Sequence, residues 1–127
     1  MSITLLFADG VIPMIEITKE IFGFPITVTA TPAGADWNVI ILGGCAPHVG
    51  SISLAEFNGS EVSLRTLLRE AHKDQIVGEK FAKAIAEQAK CTVCVSCGIH
   101  YDNASQHQLQ QIVATTDELL VELCKQV

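Results

Sequence analysis

Along residues 25–30, PITVTA, the apolar Ile26, Val28 and Ala30 alternate with Thr27 and Thr29, the two-residue period of a strand with one buried face. The preceding MIEITKEI (14–21) alternates more loosely, and Phe22-Gly23-Phe24-Pro25 punctuates between the two. After the turn TPAGAD, with Pro32 and Gly34, the β-branched run WNVIIL suits another strand, so the pair reads as a hairpin that Gly43-Gly44 brings to an end. SISLAEF (51–57) sets Ile52 and Leu54 on one face and runs into Asn58-Gly59, a dipeptide favoured in two-residue type I′ hairpins, which predicts a strand to follow. The next segment, SEVSLRTLL (60–68), fits a helix through Leu64, Leu67 and Leu68 or a strand through Val62, Leu64, Thr66 and Leu68. The turn before it decides for strand.

From Asp74, read as an N-cap, the period lengthens: Val77, Phe81, Ile85 and Ala89 form an apolar stripe at helical spacing. A second helix is predicted from Asn103, where Asn-x-x-Gln with Gln106 has the form of a capping box, through Leu109, Ile112, Val113, Thr116, Leu120 and Leu123. Between the helices, CTVCVSC (91–97) reads as a buried strand. Strands first and then helix, strand, helix predict one α+β domain over residues 1–127, a mainly antiparallel sheet of hairpins with two C-terminal helices packed on it.

Composition narrows the function classes. The chain has 127 residues, enough for one core without disulfide or metal support, and 49% apolar against 17% charged residues excludes disorder and leaves apolar surface for an oligomer interface. A net charge of −6, with Arg65 and Arg69 the only arginines, provides no basic stripe for nucleic acid. The run ITLLFADGVIPM lacks a basic n-region, is broken by Asp9-Gly10 and Pro13, and is far shorter than the ~20 residues of a membrane span. A cytoplasmic protein without a membrane partner is expected. Five cysteines, an odd number, fit a reducing compartment.

Cys91, Cys94 and Cys97 have the spacing of a cluster-ligand run, but the position four after Cys97 is Tyr101, so the run is incomplete. Strand alternation sends Cys91 and Cys97 to one face and Cys94 to the other, so the three cannot converge on one ion. Cys91 and Cys94 read as packing residues, as does Cys124, while Cys45 and Cys97 stay open as accessible candidates.

Three loops hold the unusual polar residues: GGCAPHVG (43–50), HKD (72–74) and GIHYDNAS (98–105), each with a histidine at a strand end. The last two lead into helix N-termini, whose free N–H groups favour anions. His48, His72 and His100 are the candidate metal ligands, with Asp102 a carboxylate ligand or an acceptor for an imidazole. His107 is read as a surface residue. No nucleotide-binding, hydrolase or zinc-protease motif is present, and no acid–base pair or activated nucleophile is evident, which favours binding over catalysis.

The succession GGCAPHVG, HKD before a helix and CGIHYDNAS before the last helix resembles the prenylated-flavin chaperone family, the small D subunits that accompany prenylated-FMN-dependent decarboxylases of hydroxyarylic acids. The likeness runs from about Ile15 to the C-terminus. It implies a fold like that of proteasome assembly chaperones, a homo-oligomer, and a non-catalytic role in storing, protecting or delivering prenylated FMN. The decarboxylase large subunit and the flavin prenyltransferase are the implied partners. It also implies cofactor contacts at Gly43, Gly44, Pro47, His48, Gly50, Lys73, Gly98, Asp102 and Asn103, beside a divalent metal ion on His48, His72 and His100. Two other readings stand beside it: a small histidine-based metalloenzyme, and an assembly factor for a partner subunit that takes no small ligand.

Overall fold

The computed structural model describes residues 1–6, 13–70 and 74–127. Among these residues, seven strands, β1 (Ser2–Leu6), β2 (Met14–Ile21), β3 (Phe24–Ala33), β4 (Asp36–Gly44), β5 (Ser51–Phe57), β6 (Val62–Leu68) and β7 (Thr92–His100), form one sheet. Two helices, α1 (Gln75–Ala89) and α2 (Gln106–Cys124), flank β7 in sequence. The strand order is β1-β2-β3-β4-β7-β5-β6, and every neighbouring pair is antiparallel except β4 and β7. This is the single α+β domain that the hydrophobic pattern predicts.

Register explains why one face is buried. Ile17, Val28, Ile41, Cys97 and Ser51 stand in one cross-strand row, and Ile15, Ala30, Val39, Val95 and Ser53 in the next. All ten are buried. Phe81 and Ile85 of α1 and Leu119 and Leu123 of α2 close over that face, with α1 above β5, β6 and β7 and α2 above β2. The alternate row, which includes Ile40, Ile52 and Leu67, faces outward.

Four local expectations change. β1, which the pattern of the N-terminal run does not reveal, is an edge strand paired only to β2 and exposed at every residue. The β5–β6 turn is set one residue further on: Asn58 N donates to Glu61 O at 3.0 Å, and Gly59 and Ser60 are the central pair. Type I′ needs positive φ at both central residues, and here only Gly59 has it (+103°), while the Asn58 side chain accepts from the N–H groups of Ser60 and Glu61. The cap of α2 is Ser105, not Asn103. Asn103 has φ +52°, incompatible with the extended backbone of an N-cap, whereas Ser105 (φ −70°, ψ 166°) and Gln108 exchange both bonds of a capping box. Asp74 does precede α1, but its side chain makes no cap bond.

Candidate functional site

β4 and β7 run parallel and end side by side, Gly44 opposite His100, which brings loop 45–50 against the segment leading to α2. Cys45 N donates to His100 O at 2.9 Å and Gly50 N to Cys97 O at 2.9 Å. Such close backbone approach requires glycine: a Cβ on Gly44, already at φ +83°, would lie 1.8 Å from His100 O, and one on Gly98 would lie 1.6 Å from His48 O.

Asp74 ties this assembly to α1. Its carboxylate is buried, with Oδ1 accepting from Ile99 N at 2.9 Å and Oδ2 lying 3.1 Å from His48 Nε2. The other ring nitrogen, His48 Nδ1, lies 3.1 Å from Ala46 O. Gly50 leaves room for the carboxylate, since a Cβ there would stand 1.9 Å from Asp74 Oδ2.

A groove of about 630 Å³ opens beside this network, lined by His48, Asp74 and His100 and by an apolar wall that includes Ile76, Leu109 and Ile112. The N-terminal ends of both helices border it, through Asp74 and Gln106. A smaller hollow of about 270 Å³ lies across Tyr101, lined by Phe22, Phe24, Cys45 and Asp102. Tyr101 meets Phe22 and Phe24 edge-on, with ring centroids 6.2 and 6.1 Å away, and its hydroxyl donates to Phe24 O at 3.1 Å. Burial, and then the nearness of Cys45 and Glu20, push the Tyr101 hydroxyl above its ordinary pKa. On the rim, His100 Nε2 lies 2.9 Å from Asp102 Oδ1, and hydrogen bonds from His100 and Cys45 hold the Asp102 carboxyl below the usual range.

Of the residues singled out from sequence, His48 and His100 line the same groove. His72 and Lys73 lie outside the described residues. Gly44, Gly50 and Gly98 stand where the loops pack on one another, and Gly43 is buried against Ile26 and Ile99. Pro47, Asp102 and Asn103 are exposed, as is His107 in the first turn of α2. Cys97 is not an accessible thiol: it is fully buried, and burial followed by the Asp74 charge raises its pKa to about 12. Sequence reading missed Asp74 as a site residue, because an aspartate just before a helix is sufficiently explained as a cap. Phe22, Phe24 and Tyr101, which wall the smaller hollow, carry no binding signature in the sequence, where Phe22-Gly23-Phe24-Pro25 reads as punctuation between strands.

The chain is a member of the prenylated flavin chaperone LpdD-like family, whose sequence profile matches residues 20–127. Among curated proteins it is similar to Protein LpdD of Lactiplantibacillus plantarum, at 23% identity over 108 residues that cover 84% of this chain and 79% of that protein. Among solved structures it resembles a chain of a chaperone complex for yeast 20S proteasome assembly, with a TM-score of 0.60 and 14% identity over 89% of this chain and 95% of the other. At that identity the likeness concerns the fold alone.

Proposed function

We propose that the groove between the starts of α1 and α2 binds prenylated FMN, and that the chain holds the cofactor for a prenylated-FMN-dependent decarboxylase without itself catalysing decarboxylation. The observation that carries this reading is the mixed lining of the groove: the imidazoles of His48 and His100 and the starts of both helices together with apolar side chains such as Ile76, Leu109 and Ile112. Its volume of about 630 Å³ is within the ~300–1,000 Å³ of small-molecule sites. Ile76, Leu109 and Ile112 offer an apolar surface to the flavin ring and its prenyl addition. Asp74 already sets a carboxylate at the start of α1, so the phosphate is better accommodated at the start of α2, beside His100 and Gln106. Family membership supports the choice of cofactor.

Anaerobic titration with reduced prenylated FMN and with ordinary FMN tests the reading. The prenylated cofactor is expected to be retained one per chain and to bind more tightly than FMN. Leu109→Glu alters a half-exposed groove residue and is expected to abolish retention in a folded protein. Equal, weak binding of both flavins, or parental binding by Leu109→Glu, overturns the assignment. Delivery is tested separately: cofactor presented on this chain should activate an apo-decarboxylase faster than the same cofactor free in solution.

A further inference from the structure

The paired ends of β4 and β7 bring together three side chains that the flavin reading does not use as a group. Cys45, His100 and Asp102 each offer one ligand atom, and those atoms all lie within 4.8 Å of one another. We propose that they form a binding site for a divalent transition-metal ion of the zinc class, with a thiolate, an imidazole and a carboxylate as ligands.

The donor set selects the ion. A thiolate with an imidazole suits zinc or cobalt and disfavours magnesium and calcium, which take oxygen ligands. Three protein ligands leave one of four tetrahedral positions for water or an anionic oxygen. Bonds of about 2.0–2.3 Å put tetrahedral ligands roughly 3.5 Å apart, so a rotamer adjustment on the order of 1 Å closes the group from 4.8 Å. On binding, the ion replaces the 2.9 Å His100–Asp102 hydrogen bond and the Cys45 thiol releases its proton to solvent as the metal–sulfur bond forms.

The scaffold is already rigid where it must be. Cys45 and His100 are fixed to each other by the 2.9 Å backbone bond at the end of the parallel ladder, and Tyr101 anchors the segment between His100 and Asp102 to Phe24. The group differs from the three histidines expected from sequence. His48 is instead directed at Asp74 and Ala46 O. His100 lines the groove while Cys45 and Asp102 line the smaller hollow, so the ion would occupy the ridge between them.

The test uses the full chain, stripped of metal and reduced, and titrated with Co²⁺ alone and then Zn²⁺, so it does not depend on the flavin reading. One Co²⁺ per chain is expected, with a thiolate-to-cobalt charge-transfer band, visible d–d bands of tetrahedral intensity, and displacement by Zn²⁺. Cys45→Ser should remove the charge-transfer band, and Cys45→Ser, His100→Ala and Asp102→Ala should each weaken Zn²⁺ binding by at least about tenfold, with thermal melts showing that each is folded. Cys94→Ala, on the outward face, and His48→Ala should keep the band. No band in the parent, a band that survives Cys45→Ser, or loss on His48→Ala with retention in Asp102→Ala overturns the proposal.

Discussion

Replacing Asp74 by alanine removes a side chain that joins loop 45–50, the start of α1 and the end of β7. Two contacts go: the bond from Ile99 N at 2.9 Å and the pair with His48 at 3.1 Å. Losing the acceptor leaves the Ile99 N–H without its partner, at about 1–3 kcal/mol, and the partly solvated imidazole pair adds about 1 kcal/mol, so the expected loss is about 3 kcal/mol. For a domain of this length that corresponds to a fall of roughly 10 °C in Tm. Asp74→Asn is the informative partner. Its side-chain oxygen still accepts from Ile99, and its amide can donate to Nε2 of the neutral His48 ring, so about 1 kcal/mol is the expected cost. Thermal and urea unfolding followed by circular dichroism give both values, and amide exchange at Ile99 reports the local bond. If the alanine and asparagine variants melt within about 2 °C of each other, or if exchange at Ile99 is unchanged in the alanine variant, Asp74 does not hold the loops together as argued.

Four further outcomes are expected. His100→Ala should weaken prenylated-FMN binding about ten- to a hundredfold, the loss of one charge-assisted hydrogen bond, while His107→Ala leaves it unchanged in the same titration. Gly98→Ala should destabilise by at least about 1–3 kcal/mol in urea, because its Cβ would meet the His48 carbonyl oxygen at 1.6 Å and only backbone movement can relieve that. Cys97 should resist alkylation until the protein unfolds. Its thiol pKa is raised from 9.0 to about 12, so the folded state keeps the proton that the unfolded state loses, and this contribution to stability, full below pH 9, should decline as pH rises towards 12 in denaturant titrations across that window. His100→Ala should raise the Asp102 titration midpoint towards the ordinary carboxylate value, as followed by carbon-detected NMR.

How much of this was legible in the chain depends on whether the signal is local. β3 and β7 alternate because one face meets the helices, whereas β5 turns Ser51, Ser53 and Ala55 inward and Ile52 and Leu54 to the other face, so its polarity points away from the buried side. The helices show themselves through Val77, Phe81 and Ile85 and through Ile112, Thr116 and Leu123. β1 is exposed on both faces, so burial imposes no alternation on Ser2–Leu6 for a reader to find. The α2 cap was misplaced by two residues because Asn103 and Ser105 are both good capping residues, and only the backbone, left-handed at Asn103, separates them. In the site, His48 and His100 stand out on Gly-rich loops. Cys45 beside His100 does not: their proximity follows from the parallel pairing of β4 with β7, and a sequence separation of 55 positions carries no local trace of it.

That same pairing governs the order in which the molecule can be built. The meander β1-β2-β3-β4 and the hairpin β5–β6 are each made of sequence neighbours and can close early, whereas β7 must enter between β4 and β5 after α1 has been passed. Until it does, β4 and β5 each present an unpaired strand edge, the template on which chains join one another. A chain interrupted before Thr92 lacks the strand that joins β4 to β5, which leaves both of those edges open. His100, Tyr101 and Asp102 arrive with the strand that seals those edges, so the site is complete only once the sheet is. A ligand that binds there favours the sealed state by mass action, and occupancy becomes a readout of whether synthesis and folding ran to the end.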